Sequence, residues 1–161
     1  MPDPYPRKNS RRTPRSISLH DIGGQYSYAM SCAFLEMAQV NVRYMVRDVA
    51  EAVEFYTTKL GFRLLSNASP AFADVILGDL RLLLAGPASS AGRPMPDGRI
   101  PGPGGWNRIE LVVPDIEAEV KRLSKEGVKF RNEIVRGPGG AQILAEDPSG
   151  NVIELFQPAR S

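Results

Sequence analysis

Polar side chains alternate with apolar ones in two similar segments of this 161-residue chain. Asn41 and Arg43 alternate with valine and tyrosine in the first segment, and Arg108 and Glu110 alternate with isoleucine and leucine in the second. An arginine can bind a carboxylate or a carbonyl oxygen, and a glutamate can accept a proton. Alternation puts the polar members of each segment on one face of a strand. These four residues are therefore the first candidates for a binding or catalytic site.

The two segments open a repeat, because each is followed by the same series of elements. Asp48 is placed to cap a helix in the first copy and Asp115 does so in the second, 67 residues later, which is also the separation of Arg43 and Glu110. Each copy predicts a βαβββ module in which a glycine ends the helix. Besides the opening strands, strands are predicted at 62–65, 71–77, 80–85, 128–130, 142–146 and 151–156.

A segment rich in glycine and proline separates the two modules. Residues 86–105 contain 11 Gly or Pro among 20 positions, which excludes a helix or a central strand. A connector of this length is either a lid over a site or a plain linker. The predicted organisation is a first module over 39–86, a connector over 86–105 and a second module over 105–158.

Charge and composition exclude several function classes. The formal net charge is +2, but residues 1–16 carry +4, which leaves the rest of the chain at −2 and gives nucleic-acid binding by the folded part no electrostatic support. The chain has no apolar run long enough to span a membrane. A single cysteine and a single histidine exclude a disulfide framework and the usual imidazole metal sites. We expect a cytoplasmic protein whose residues 1–38 are a disordered basic tail or an over-called start.

Two motifs carry a resemblance to a known family. They are Arg47-Asp48 through Leu60-Gly61-Phe62, and the closing Asp147-Pro148-Ser149-Gly150-Asn151 with the strand that follows it. Together they resemble the vicinal oxygen chelate superfamily, which includes glyoxalase I, bleomycin-resistance proteins, extradiol dioxygenases and fosfomycin-resistance enzymes. The resemblance covers residues 39–158. It implies an α+β fold in which two βαβββ modules form a half-barrel cavity.

The resemblance also implies four inward positions for a divalent metal. By register these fall on Asn41, Leu82, Arg108 and Glu154, of which only Glu154 is a good ligand. Leucine donates no electron pair and arginine is always charged. We therefore expect no family-type metal and no other cofactor.

The remaining candidates are a polar and aromatic set lining that cavity. Two glutamates, Glu154 and Glu110, are candidate catalytic bases or hydrogen-bond anchors. The predicted ligand-binding residues are Asn41, Arg43, Leu82, Trp106, Arg108 and Phe156. Structural alternatives stay open: Arg43 could pair with Glu110, Glu154 could pair with Arg108, and Trp106 could cover a sheet edge.

Two functions follow from this set. The first is a glyoxalase-like or bleomycin-resistance-like protein that binds a small anionic or carbonyl-bearing molecule without a metal. The second is a lyase or isomerase, either metal-free with a glutamate base or with an atypical metal site. For both we expect a homodimer with a small-molecule ligand and neither nucleic acid nor membrane as a partner. We expect Arg108 to meet the ligand and Arg43 to be the structural member.

Overall fold

A computed structural model describes residues 41–160 of the chain. The prediction for residues 1–38 lies outside the described residues. Within 41–160, no helix is long and apolar enough to cross a membrane.

The first module forms a four-stranded sheet, called sheet one, with a helix on one face. Its elements are β1 (Asn41–Met45), α1 (Val49–Thr58), β2 (Arg63–Ala68), β3 (Phe72–Leu77) and β4 (Leu80–Ala85). The strand order is β1-β4-β3-β2, with β1 parallel to β4 and the other pairs antiparallel. The predicted βαβββ plan of this module is confirmed.

The second module forms sheet two on the same plan. Its elements are β5 (Arg108–Val112), α2 (Ile116–Lys125), β6 (Lys129–Phe130), β7 (Val135–Gly137), β8 (Gly140–Glu146) and β9 (Val152–Pro158). The order is β5-β9-β8-β6, and β7 also pairs with β8. β6 and β7 pair with successive parts of β8, so together they are the second strand of the module, interrupted at 131–134. The sequence analysis did not predict β7.

Both helices begin at the predicted caps. The side chain of Asp48 accepts a hydrogen bond from the backbone N–H of Glu51 at 2.9 Å, and Asp115 does the same for Ala118 at 3.0 Å. Each cap satisfies a helix N–H that has no partner within the helix. Gly127 follows α2 with a φ of +80°, a conformation that favours glycine. Each sheet buries one face against its helix, and the two buried faces belong to one core.

The two modules contact each other within the chain through buried polar groups. The Tyr44 hydroxyl of β1 donates to the carbonyl of Val152 at 2.7 Å and accepts from the N–H of Ile109 at 2.9 Å. The Tyr56 hydroxyl of α1 donates to a carboxylate oxygen of Asp147 at 3.1 Å. Burial raises the pKa of both phenols, that of Tyr56 well above its ordinary value, with the Asp147 charge adding to the effect. Both tyrosines therefore act as neutral hydrogen-bond donors between the modules.

The signature turn Asp147 to Asn151 joins the modules. Asp147 accepts hydrogen bonds from the backbone N–H groups of Ser149 and Asn151 at 2.8 Å each, and from the Asn151 amide at 2.8 Å. Asn151 in turn donates to the carbonyl of Met45 at 2.9 Å, and the Ser149 hydroxyl accepts from the N–H of Arg47 at 2.9 Å. The turn thus holds the end of β1, where the first motif begins.

Candidate functional site

Each sheet has a second face, opposite its helix, which is called here its open face. Pairing of β1 with β4 sets Asn41 beside Arg81 and Arg43 beside Leu83. On sheet two, Arg108 lies beside Val152 and Glu110 beside Glu154. The open faces therefore carry the polar residues that the alternation singled out.

The prediction that Leu82 lines a cavity with Asn41 is wrong by one residue. Leu82 pairs with Val42, has no exposed surface and lies in the core on the helix side of sheet one. Because successive side chains of a strand point to opposite faces, its neighbour Leu83 takes the place on the open face. The usable signal was Arg81, which lies two residues before Leu83 and therefore on the same face, although the rest of β4 is apolar on both faces.

Arg108 is paired with Glu154 across neighbouring strands. The Arg108 Nε donates to a Glu154 carboxylate oxygen, and the Glu154 side chain is only 8% exposed. Arg108 also makes a long contact of 3.4 Å with the carbonyl of Trp106. A buried carboxylate needs a compensating charge, and Arg108 supplies it. The structural alternative for Glu154 is the arrangement found.

The ion pair considered between Arg43 and Glu110 does not form. Both side chains are exposed, and they lie on different sheets. Among residues 41–160, no carboxylate oxygen lies within 4.0 Å of the Arg43 guanidinium. This is the reverse of the expected division, because Arg108 is the paired arginine and Arg43 is the one whose charge is uncompensated within that range.

A second buried carboxylate, Asp74, lies on the open face of sheet one. Its side chain is 1% exposed and accepts a hydrogen bond from the Arg81 Nε at 2.6 Å, and an Nη atom of Arg81 lies 2.5 Å from the same carboxylate oxygen. The Ser66 hydroxyl donates to its other oxygen. Burial alone would raise the pKa of this carboxyl, but the bonds from Ser66 and Arg81 outweigh it and hold the pKa below its ordinary value. The sequence analysis did not select this cluster, although an aspartate inside the apolar run Phe72 to Leu77 was a usable signal.

The two aromatic candidates lie on or near the open face of sheet two. Phe156 is half-buried and pairs with Val112 and Gln142. Trp106 is 70% exposed, and the Arg131 guanidinium carbon lies 5.2 Å from its ring centroid. Arg131 also pairs with Glu146 at 2.5 Å and donates to the carbonyls of Gly105 and Gly150 at 3.1 Å each. The tryptophan therefore rests on a firmly held cation at the end of the connector.

The family's metal positions do not suit a divalent cation in this chain. Asn41, Arg108 and a leucine offer one neutral amide oxygen, a cation and no donor, and the Glu154 carboxylate is already bound by Arg108. Nowhere in the described part of the chain do three His, Cys, Asp or Glu side chains converge.

Two surface cavities are lined by residues other than the predicted site residues. One of about 440 Å³ is bounded by α1 and by the turns before β6 and after β8, with Arg47, Phe55, Lys129 and Asp147 in its lining. The other, of about 330 Å³, lies beside the ends of β7 and β9. Neither contains a predicted site residue.

The fold and its paired signatures agree with the sequence family found by comparison. The profile of the Glyoxalase/Bleomycin resistance protein/Dioxygenase superfamily matches residues 38–155. The chain belongs to this superfamily. No curated protein sequence matches it significantly.

Solved structures give the same fold. A member of the superfamily from Sphaerobacter thermophilus is 27% identical with a TM-score of 0.58, over 75% of this chain and 98% of that one. TnmS3, an antibiotic binding protein from Streptomyces sp. CB03234, is 27% identical with a TM-score of 0.56, over 76% and 98%. A lactoylglutathione lyase from Agrobacterium tumefaciens is 20% identical with a TM-score of 0.59, over 75% and 93%. The last shares the fold alone at this identity.

Proposed function

We propose that this protein binds a small organic molecule over the open faces of its sheets and does so without a metal. The observation that carries the proposal is the ion pair that Glu154 makes with Arg108, because Glu154 is the one good ligand among the family's metal positions. Its carboxylate is buried and already bound by Arg108, so a cation would have to displace a guanidinium that compensates its charge. The similarity to an antibiotic binding protein supports a binding role over a metal-dependent one.

The ligand class we propose is anionic or carbonyl-bearing. Arg43 is exposed on an open face that also presents half-buried apolar side chains, among them Leu83 and Phe72. Binding sites for small molecules combine such apolar surface with a few polar groups that fix orientation. Trp106 and Phe156 supply aromatic surface on the second sheet.

A lyase or isomerase is the second candidate function. Glu110 favours it, because this glutamate is exposed beside Glu154 and has no ion-pair partner among residues 41–160. A glutamate in that position is available as a general base toward a ligand held over sheet two. Turnover of a bound compound that is lost in Glu110→Gln, with binding retained, would favour this function over binding alone.

We also propose a homodimer in the cytoplasm. Each open face presents half-buried apolar side chains to solvent in the single chain, and a second copy is the simplest cover for those that a ligand leaves exposed. Sedimentation equilibrium should give twice the chain mass at micromolar concentration. A chain that remains monomeric there would remove this part of the proposal.

Metal content and a ligand screen test the main proposal together. The purified chain, dialysed without chelator, should hold far less than one zinc, nickel, manganese or iron per chain by elemental analysis. It should then show thermal stabilisation by some members of a library of small carboxylates and carbonyl compounds. About one tightly held metal per chain would overturn the metal-free claim.

A further inference from the structure

The two open faces differ in charge. From the strand pairing, sheet one presents three arginines and one carboxylate, whereas sheet two presents three cations and three carboxylates. The sheet-one set is Arg43, Arg63, Arg81 and Asp74. The sheet-two set is Arg108, Lys129, Arg131, Glu110, Glu146 and Glu154. An anion is therefore attracted to sheet one and finds no net charge on sheet two.

Arg81 is oriented on that face by a buried partner. Asp74 accepts a hydrogen bond from its Nε and has one Nη atom in ion-pair contact with the same oxygen, and the Ser66 hydroxyl donates to the second oxygen of Asp74. About a third of the Arg81 side chain remains exposed, and its other Nη makes no hydrogen bond to residues 41–160. A guanidinium held in one orientation loses less entropy when it binds an anion.

Arg43 lies next to this held arginine. Arg81 pairs with Asn41 and Arg43 pairs with Leu83, so the two arginines are diagonal neighbours on adjacent strands, within reach of one bound group. Leu83 lies between Arg43 and Asp74, and Phe72 lies one rung further along the sheet, both half-buried. Two guanidinium groups and one aspartate leave a local charge of about +1 beside apolar surface.

We infer that Arg43 and Arg81 form an anion-binding site on the open face of sheet one, and that its ligand is a monocarboxylate with an apolar body. The carboxylate lies against the two guanidinium groups and the apolar body against Leu83 and Phe72. Asp74 is a positioning residue, since it acts through Arg81. The inference rests on the proposed function and deepens it by naming the ligand class and the sheet that holds its charge.

The test is a titration of the full chain with 1-naphthoate, and separately with its neutral counterpart 1-naphthamide, followed by ¹H–¹⁵N NMR including arginine Nε–H signals. We expect saturable binding of naphthoate and at least tenfold weaker binding of naphthamide. Arg43→Met and Arg81→Met should each weaken naphthoate binding by about tenfold or more, as expected when a charged hydrogen bond is lost. Arg136→Met, an exposed arginine paired with Glu117 on the helix side, is the matched control and should stay within about twofold.

The positioning role of Asp74 has its own readout. Asp74→Asn should shift the Arg81 Nε–H signal and leave naphthamide binding unchanged, because it removes the charged acceptor that holds the guanidinium in one orientation. If that variant does not fold, Arg81→Lys is the alternative, because it keeps the positive charge but lacks the planar guanidinium with its paired N–H donors. It should bind naphthoate less well than the parent chain and better than Arg81→Met.

The possible results distinguish failure of this inference from failure of the proposed function on which it rests. Equal binding of both compounds, with no effect of the two arginine changes, would overturn the anion site and leave the proposal of a small-molecule binder standing. Binding of neither compound at millimolar concentration would overturn the carboxylate inference, and failure of the wider ligand screen would then remove the proposed function as well.

Discussion

At the scale of single residues, two arginines are neutralised by buried carboxylates and a third is not. Arg81 lies against Asp74 and Arg108 against Glu154, in both cases across neighbouring strands on an open face. Arg43 has no such partner among residues 41–160. The alternation of residue types was enough to select Arg43 and Arg108, and the family resemblance added Glu154. Alternation left the partners open, because pairing depends on which strands become neighbours.

Removing Arg108 should destabilise the protein. Arg108→Met leaves the buried Glu154 carboxylate without its compensating charge. We expect a loss of about 1 to 3 kcal/mol in the free energy of unfolding. The loss is smaller than for a fully buried pair because Arg108 is partly exposed. Urea denaturation measures it. The double change Arg108→Met with Glu154→Met should recover most of the loss. A single change within about 0.5 kcal/mol of the parent would show that the pair contributes little.

Asp74 should contribute to stability in a pH-dependent way. Its folded-state pKa is lowered, so the contribution is present above the unfolded-state value of about 4 and is lost as the pH falls through the lower folded-state pKa. In Asp74→Asn this part of the acid-induced loss should disappear. Comparing urea denaturation of parent and variant between pH 7 and pH 3 checks it: their difference in stability should shrink toward low pH, and a constant difference would contradict the assignment.

At the scale of elements, the repeat predicted most of the fold, because capping residues, glycine stops and alternation are local signals. Two features escaped it. β7 is a short strand in a stretch that contains Gly137, Pro138 and Gly139, and its formation depends on the neighbouring β8 rather than on its own residues. The direction in which the β4 side chains point depends on register, which a strand with Arg81 as its one polar residue indicates only weakly.

The turn Asp147 to Asn151 has a role that its sequence alone does not state. The sequence marked it as one of the two motifs of the family resemblance, and it is also the contact that holds the second module against β1 and α1. Asp147 accepts four hydrogen bonds there, one of them from Tyr56 in the other module. A family signature at this position is thus explained by the joining of the modules.

Asp147→Asn should lower the free energy of unfolding more than the small change in side-chain size suggests. The amide cannot accept all four bonds with the strength of a carboxylate, and we expect a loss of about 2 to 4 kcal/mol by chemical denaturation. Asp79→Asn, at the exposed turn between β3 and β4, is the matched control and should stay within about 0.5 kcal/mol. Similar losses of stability in both variants would show that the hydrogen bonds of Asp147 do not stabilise the protein more than those of an exposed turn.

At the scale of the whole molecule, two modules of one chain share a core and leave two open sheet faces of different charge. The helix faces are apolar and interlocked by Tyr44 and Tyr56, so they are structural. The open faces carry Arg43, which has no carboxylate partner among residues 41–160, together with the aromatic surface and the family's metal positions, so they are where function is expected. Fold and family follow from the sequence, whereas the ligand must be found by experiment, because function belongs to the site and not to the fold.

The most direct measurement is calorimetric titration of the chain with the most stabilising carboxylate from the ligand screen, once in EDTA and once with one equivalent of zinc or manganese. Metal-free binding predicts one ligand per site with dissociation constants that agree within about twofold in the two conditions, since twofold is about 0.4 kcal/mol. Binding that appears only when the metal is added, or that tightens by tenfold or more with it, would contradict the account.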